Sequence, residues 1–186
     1  MMNRKVSEMI VNNHKLPKIE GKYVSLREVT IEDAEFILSL RTSEKGRKFL
    51  HQTDPDVSKQ VDYIKRYLAR NDEWYFIVED ERGESIGCLG IYDVTDQSAT
   101  TGRWIMKDTK DPRLAIECKL LICDYVYYTL GIPNVHGDTM ETNTSILNLY
   151  KLFGYEEIGR RDGIVYFNMS QASYEKKKNL IARFCK

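Results

Sequence analysis

The stretch VHGDTMETNTSILNLYKLFGY, residues 135–155, predicts a strand, a short helix and the start of a further strand. Asn143 and Thr144 can cap the helix, because their side-chain oxygens accept hydrogen bonds from unpaired N–H groups at a helix N-terminus. Gly154 lies where many helices end in a left-handed residue, and Tyr155 resumes extended structure. The stretch therefore predicts a strand–helix–strand unit with an asparagine at its first junction and a glycine at its second.

A long helix is predicted before this unit, from about residue 111 to residue 130. Gly131 ends it, and Pro133 prevents its continuation. Residues 100–106 have the pattern of a strand, so this strand, the helix and residues 135–142 form a βαβ unit with parallel strands. Apolar residues recur at helical spacing along one face of the helix; they are Ile116, Leu120, Cys123, Tyr127 and Leu130.

The other predicted elements are two amphipathic helices and five short strands. Apolar residues three and four apart predict the helices, near residues 31–38 and 57–68. Alternating apolar and polar residues predict the strands, and the turns at Asp80–Gly83 and Arg161–Gly163 predict two hairpins. The five strands are expected at residues 23–27, 74–78, 86–94, 156–160 and 164–169.

The length and the charge of the chain limit the number of domains and the kinds of partner that it can have. The chain has 186 residues, which suits one domain. Its 28 basic and 28 acidic residues give no overall basic field, so we expect no nucleic-acid partner and no binding to a membrane surface. Residues 1–22 lack an apolar run that could target or span a membrane. We expect one domain at residues 23–169, an N-terminal extension at 1–22, and a C-terminal tail or helix at 170–186.

The four cysteines, Cys88, Cys118, Cys123 and Cys185, lack the spacing of metal ligands, so no metal site is predicted. Cys118 and Cys123 are five residues apart on a predicted helix and point to different faces, so they should not form a disulfide. Without a secretory signal, we expect free thiols and a cytoplasmic protein.

The residues Asn143, Tyr150, Gly154 and Tyr155 stand at relative positions 0, 7, 11 and 12. This spacing resembles the Asn-x6-Tyr-x3-Gly-aromatic signature of the GNAT superfamily of N-acetyltransferases, and the order of predicted elements over residues 23–169 resembles that of the GNAT fold. The resemblance implies an α+β (mixed α/β) fold. We expect a mixed sheet of about seven strands, with parallel strands four and five splayed apart and helices flanking the sheet. Without the resemblance, the stretch is an ordinary helix between two strands.

The resemblance implies that acetyl-CoA binds where strands four and five separate, beside the N-terminus of the helix between them. Such a terminus offers free N–H donors and a partial positive charge to a pyrophosphate. The family's Arg/Gln-x-x-Gly-x-Gly/Ala loop falls on residues 110–115. Lys110 and Ala115 are compatible with it, whereas Arg113 replaces the central glycine and Pro112 removes a backbone donor.

We interpret this departure as a tighter helix start, with Asp111 as the cap and Pro112 in the first helical position. The side chains of Lys110 and Arg113 are then expected to contact phosphate, unless they are two solvated cations. Strand four is expected to hold the pantetheine arm through its backbone. The implied cofactor-binding residues are Ile105, Met106, Lys107, Lys110, Arg113, Leu114, Ala115, Asn143 and Tyr150.

The implied reaction is attack of a neutral amine on a thioester. A thiol with a pKa of about 8.5 is a fair leaving group, so a phenol can supply its proton. The resemblance makes Tyr150 the general acid, and the alternative is a core tyrosine. Glu141 is our candidate base; Asp138, three residues earlier on the same predicted strand, faces the opposite side of the sheet and is an alternative. Asp93, His136 and His51 are weaker candidates.

The acceptor is expected to be a small-molecule amine, with a small amine or a nucleotide-linked amino sugar favoured over a protein N-terminus. In the family, the segment corresponding to residues 42–71 and the last hairpin shape this pocket. A non-catalytic CoA-binding module and a structural domain without a ligand are the other hypotheses. A homodimer is one further hypothesis, and a turn of helix around Val6, Met9 and Ile10 is expected to pack either on the domain or on a second subunit. The aromatic candidates for the pocket walls are Tyr63, Tyr67, Trp74, Tyr92 and Trp104.

Overall fold

The structure is a computed structural model that describes residues 16–50, 52–70 and 72–185. The N-terminal residues Val6, Met9 and Ile10 and the candidate base His51 lie outside these ranges, so the predictions made for them stay predictions.

In the described part of the chain, one mixed sheet of eight strands organises the fold, in the order β1-β2-β3-β4-β5-β6-β8-β7. Among these eight described strands, only β5 and β6 are parallel neighbours, which confirms the predicted pairing of strands four and five. The extra strand is β1, which pairs with β2 and lies in the expected N-terminal extension. The strands are β1 Ile19–Glu20, β2 Val24–Glu28, β3 Trp74–Asp80, β4 Ser85–Tyr92, β5 Ala99–Met106, β6 Asn134–Met140, β7 Glu156–Arg161 and β8 Ile164–Ser170.

Across residues 16–50, 52–70 and 72–185, six α-helices flank the sheet. The second was not predicted; it is short and begins at Ser43, whose hydroxyl accepts from the Gly46 N–H group. The sixth shows that the C-terminal segment is helical, with Ser170 as its cap. The fourth continues as a π-helix, Tyr125–Leu130, and ends at Gly131 with φ 70°. The helices are α1 Ala34–Arg41, α2 Glu44–Phe49, α3 Val57–Leu68, α4 Pro112–Asp124, α5 Thr144–Phe153 and α6 Gln171–Ile181.

Two hydrophobic cores cover the two faces of the sheet. Alternate residues of β3 belong to different cores: Trp74 and Phe76 pack towards α4 and α5, whereas Tyr75 and Ile77 pack towards α1 and α3. This division follows from the two-residue period of a strand. We refer below to the α4 face and the α3 face of the sheet. In the described part of the chain, no helix has the length and apolar character needed to cross a membrane.

Glu117 joins α4 to the start of β2. Its buried carboxylate accepts hydrogen bonds from the backbone N–H groups of Lys22, Tyr23 and Val24, at 2.9, 2.6 and 2.8 Å. Such charge-assisted bonds are stronger than neutral ones. Glu117 therefore fixes the helix that follows β5 against the first long strand.

The four cysteines are free thiols, as expected from the sequence. Cys88, Cys118 and Cys123 are buried, and Cys185 is partly exposed. Burial raises the pKa of the Cys88 and Cys123 thiols to about 11, so these thiols are protonated near neutral pH. In the described residues, no group of three or more His, Cys, Asp or Glu side chains could hold a metal ion.

Candidate active site

The parallel strands β5 and β6 separate soon after they meet. Their register pairs Ala99 with Val135 and Thr100 with His136. Beyond these pairs, β6 continues against β8 and β5 continues against β4. We call the gap between residues 101–106 of β5 and residues 137–140 of β6 the fork. The predicted splaying is confirmed.

A β-bulge in β5 lies beside the fork. Cys88 pairs with Ile105 and Gly90 with Gly102, so the two residues Arg103 and Trp104 stand opposite one residue of β4. Arg103 has φ 53°, a conformation that residues with a Cβ adopt at some cost. A bulged strand bends and twists more strongly, and this bend contributes to the divergence of β5 from β6.

Tyr150 lies on the α4 face of the fork. Its side chain, 3% exposed, stacks on Tyr155 with ring centroids 4.4 Å apart and meets the edge of Phe167 at 5.1 Å. A Cβ on Gly137 would lie 2.5 Å from the phenol oxygen, so this oxygen reaches β6 just beyond the last β5–β6 pair. Burial, and then the charge of Asp138, raise the pKa of Tyr150. The phenol therefore holds its proton at neutral pH, as a general acid requires.

Asn143 caps α5, as predicted. Its side-chain oxygen accepts from the Ile146 N–H group at 3.4 Å, and its own N–H group donates to the Met140 carbonyl at 2.9 Å. The helix ends at Gly154, where φ is 90°. Asn143 thus lies at the end of β6, one edge of the fork, and its contact with the cofactor stays a prediction.

The two candidate carboxylates of β6 have different surroundings. Asp138 is exposed. Burial is the larger cause and the charge of Asp138 the second cause that raise the pKa of Tyr150, and the same two causes raise the pKa of Tyr92 to about 12. Glu141 follows the strand, and its N–H group donates to the Gly163 carbonyl in the β7–β8 turn at 2.9 Å. The pKa of Arg160 on β7 is raised by its bond to Glu157 and also by the charge of Glu141. Asp138 therefore lies among the phenols of the fork, whereas Glu141 lies beside the hairpin.

Two of the weaker candidate bases, His136 and Asp93, lie in the described part of the chain. His136 belongs to the last β5–β6 pair and is partly buried. Asp93 follows β4, is exposed, and has φ 51°. The roles of both residues stay predictions.

The start of α4 has the predicted cap, but the guanidinium group expected to contact phosphate is already bound to a carboxylate. Asp111 caps the helix by accepting from the Arg113 N–H group at 3.0 Å, and Pro112 is the first helical residue. The Arg113 guanidinium folds back to Asp111, with Nε–Oδ1 2.9 Å and Nη2–Oδ2 2.7 Å. It also donates to the Tyr23 hydroxyl at 3.2 Å and lies 4.4 Å from the centre of its ring. A phosphate contact by Arg113 would require this guanidinium to leave Asp111.

The remaining predicted cofactor residues lie at the end of β5 and at the start of α4. Lys110 is exposed, while Leu114 and Ala115 pack against the core of the α4 face. Ile105 and Met106 are buried in opposite cores. The Lys107 N–H group donates to the Ile86 carbonyl at 2.7 Å. The contacts of these residues with the cofactor stay predictions.

A cavity of about 380 Å³ opens on the α3 face. Its wall carries three guanidinium groups and one carboxylate. Glu73 binds two of these guanidinium groups, Arg103 at 2.5 Å and Arg70 at 3.0 Å. The Arg103 guanidinium also lies over the ring of Tyr92, 4.4 Å from its centre. The lining residues are Tyr63, Arg66, Tyr67, Ala69, Arg70, Glu73 and Arg103.

The cavity adjoins the fork through Tyr92. A Cβ on Gly102 of β5 would collide with the Tyr92 hydroxyl, so this phenol crosses the strand beside the fork. Of the aromatic residues predicted for the acceptor pocket, Tyr63 and Tyr67 line the cavity and Tyr92 supports Arg103. Trp74 and Trp104 pack on the opposite, α4 face.

One buried residue at the fork was missed from the sequence. Lys119 of α4 is 2% exposed, and its Nζ donates to the Thr101 hydroxyl at 2.9 Å. The same atom lies 4.9 Å from the ring centre of Tyr155 and 5.3 Å from that of Tyr150. The sequence did contain a signal for it: Lys119 precedes Leu120 on a helix predicted to be largely buried, so its side chain could have been expected inside the protein.

Comparisons with known proteins agree with this geometry. The sequence model of one family, described as an acetyltransferase (GNAT) domain, matches residues 24–156. A search of curated proteins found no match. Among solved structures, apo FdhC, described as a nucleotide-linked sugar GNAT, is 28% identical with a TM-score of 0.79, over 92% of this chain and 98% of that one.

Two further solved structures are similar in fold. A GCN5-related N-acetyltransferase from Brucella melitensis is 16% identical with a TM-score of 0.76, over 92% of this chain and 86% of that one. A dodecameric spermidine N-acetyltransferase from Vibrio cholerae is 18% identical with a TM-score of 0.69, over 83% and 97% of the two chains.

Proposed function

Because the chain belongs to the GNAT family of acetyltransferases, we propose that it transfers the acetyl group of acetyl-CoA to the amine of a nucleotide-linked amino sugar. The observation that carries the choice of acceptor is the cavity beside the fork, whose wall holds three guanidinium groups. The acetyltransferase activity itself follows from the family.

Acetyl-CoA is proposed to enter the fork. The edge of β5 that turns away from β6 offers backbone groups to the pantetheine arm, and the N-terminus of α4 offers N–H groups to the pyrophosphate. The thioester would then lie near the phenol of Tyr150. In this arrangement, the bulge and the early end of β5–β6 pairing open the gap for the cofactor, and the glycine at residue 137 leaves space for the phenol.

The proposed transfer needs one acid and one base. The amine nitrogen attacks the thioester carbonyl, the C–S bond breaks, and the leaving thiolate takes the proton of Tyr150. The proton lost by the amine goes to a carboxylate on β6 or directly after it. Glu141 was the first choice from sequence, but the charge of Asp138 acts on both Tyr92 and Tyr150. We therefore propose Asp138 as the base and keep Glu141 as the alternative.

The cavity suits an acceptor that carries phosphate. Guanidinium groups bind phosphate oxygens through paired N–H donors, and the partly exposed ring of Tyr63 offers a surface to a base or a sugar. A diphosphate held near Arg103 would direct its sugar towards the fork, because Arg103 rests on Tyr92 and Tyr92 reaches across Gly102. The similarity to a nucleotide-linked sugar GNAT supports this acceptor class.

A polyamine acceptor is less compatible with the cavity. The similarity to a spermidine N-acetyltransferase is 18% in identity and supports the fold alone. Asp72 and Glu73 bind two of the three guanidinium groups of the wall, and the remaining positive charge would repel a polycation at short range. A polyamine therefore serves as a comparison substrate in the test.

Thiol release from acetyl-CoA over an acceptor panel tests the proposal. The panel contains nucleoside-diphosphate-linked amino sugars, the same sugars without the nucleotide, spermidine and a peptide with a free N-terminus. We expect at least one linked sugar to be used with kcat/KM more than tenfold above its free form. A preference for spermidine or the peptide would contradict the proposed acceptor. CoA-induced thermal stabilisation with no release from any amine would favour a non-catalytic CoA-binding module.

A matched pair of variants tests the role of the cavity. Arg66→Ala removes a guanidinium from the cavity wall without breaking the ion pairs of Glu73. Arg82→Ala removes an exposed guanidinium in the β3–β4 turn and is the control. We expect the first to raise KM for the linked sugar about tenfold and to leave KM for acetyl-CoA unchanged, and the second to change neither. Equal effects of the two variants would remove the cavity from the acceptor site.

A further inference from the structure

Lys119 is a buried amine whose position calls for a function. Lysine is almost never fully buried unless it is paired, and an unpaired buried charge is costly. Among the described residues, Lys119 forms no ion pair within 4.0 Å, and its Nζ donates to the neutral Thr101 hydroxyl. A methionine would fill the same space without this cost, so packing alone does not explain the lysine.

The amine lies at the vertex of the fork. Thr101 is the first residue of β5 beyond the last β5–β6 pair, and its hydroxyl donates to the carbonyl of His136, the last paired residue of β6, at 3.4 Å. The chain of contacts from Lys119 Nζ to Thr101 Oγ1 to the His136 oxygen therefore crosses from α4 to both strands. It joins them at the point where they begin to separate.

The same amine supports the ring of the proposed acid. Its Nζ lies 4.9 Å from the ring centre of Tyr155 and 5.3 Å from that of Tyr150, and these two rings stack on each other. The ring centre of Trp104, the second residue of the bulge, lies 6.0 Å from the same Nζ. A cation or an N–H group over ring faces is attracted by their electron density. Lys119 thus contacts the fork vertex and the Tyr150–Tyr155 pair at once.

We propose that Lys119 is a positioning residue for acetyl transfer, which fixes the vertex of the fork and the ring of Tyr150 relative to each other. The proposal rests on the proposed location of the thioester in the fork. Burial lowers the pKa of Lys119, and both the neutral amine and the ammonium can donate to Thr101, so the role does not depend on its charge.

A purely structural lysine and a positioning lysine predict different outcomes. Replacing an amine that is buried without an ion pair by an apolar side chain of similar volume removes the cost of burying it, and the Thr101 hydroxyl keeps its bond to the His136 carbonyl. Lys119→Met should therefore keep or raise the melting temperature, yet lower kcat at least tenfold, with KM for acetyl-CoA changed less than threefold. Lys151→Met, at an exposed position on the same helix as Tyr150, is the control and should change none of these quantities.

Thr101 supplies a conservative rescue. Thr101→Val removes the hydroxyl between Lys119 and His136, whereas Thr101→Ser retains it. We expect the valine variant to lower kcat at least fivefold and the serine variant to stay within twofold of the wild type. Equal activity of the two variants, or an unchanged kcat in Lys119→Met, would overturn the proposal, as would a loss of melting temperature in Lys119→Met that matches its loss of kcat.

Hydrogen exchange separates this proposal from the choice of acceptor. In Lys119→Met, the amides of residues 99–101 and 135–137 should exchange at least tenfold faster than in the wild type, although the global stability is kept. This measurement needs no acceptor. Unchanged exchange at the vertex would overturn the positioning role even if the acceptor is identified, and faster exchange would support it even if the nucleotide-linked sugar proves wrong.

Discussion

The phenol oxygen of Tyr150 lies so close to Gly137 that a Cβ on this glycine would be 2.5 Å from it. Tyr150 comes from α5 and Gly137 from β6, so the contact fixes the helix against one edge of the fork. The phenol can reach the edge of β6 because residue 137 has no side chain. This relationship makes the glycine a specific test of whether the phenol position matters for catalysis.

Gly137→Ala should displace the Tyr150 ring and lower kcat about tenfold. The added methyl group overpacks a buried site, a change that typically costs about 1–3 kcal/mol of stability. Gly159→Ala on β7 is the control, because a Cβ there meets nothing within 4 Å. Kinetics and thermal unfolding of both variants check the expectation, and a fully active Gly137→Ala enzyme would show that the phenol position is not critical.

Tyr150→Phe should lower kcat about 10²-fold and leave CoA binding intact, because it removes the proton donor and keeps the ring. Burial raises the pKa of Tyr150, so the proton is retained above the unperturbed pKa of about 10. The wild-type kcat should therefore not decline through this group as the pH rises towards 10. Stopped-flow thiol release across pH measures both effects, and an unchanged kcat in the variant would remove Tyr150 as the acid.

The features that the sequence predicted well are those with local causes. The end of α5 at Gly154, the cap at Asn143 and the hairpin at Asp162–Gly163 depend on residues that are close in the chain, because turn and cap chemistry acts over a few positions. Both residues of the hairpin turn have positive φ, 51° and 76°. The parallel pairing of β5 and β6 follows from the helix that must connect them.

The features that the sequence could not give depend on distant segments. At the bulge, two residues of β5, Arg103 and Trp104, stand opposite one residue of β4. This mismatch depends on how the two strands pair and cannot be predicted from either strand alone. Lys119 becomes a contact of Tyr150 only when α4 and α5 pack on the same face of the sheet. The pair Asp111 and Arg113 is different, since its two-residue spacing could have warned that the guanidinium would fold back onto the cap.

Asp138→Asn should lower kcat/KM about 10²-fold at neutral pH if its carboxylate takes the amine proton. Glu141→Gln should change it less than threefold, since Glu141 lies beside the β7–β8 hairpin. The reverse ranking would restore Glu141 as the base. Measuring kcat/KM against pH adds a second criterion, because the acidic limb of the wild-type profile should vanish in Asp138→Asn alone.

Asp111→Asn should bind CoA about fivefold more tightly than the wild type. Asparagine caps a helix as well as aspartate, so the start of α4 is kept, while the negative charge that holds Arg113 and repels a pyrophosphate is removed. Isothermal titration with CoA and with pantetheine, which lacks the pyrophosphate, measures the effect. Pantetheine affinity should not change, and Asp162→Asn in the exposed β7–β8 turn is the charge-matched control.

The complementary variant removes the cations at the same helix start. Lys110→Ala combined with Arg113→Ala should weaken CoA and leave pantetheine unaffected, because only the phosphates meet these side chains. Equal weakening of both ligands would mean that the two cations support the fold rather than the pyrophosphate. If Asp111→Asn also leaves CoA affinity unchanged, the pyrophosphate does not bind at the N-terminus of α4, and the cofactor must enter the fork from another side.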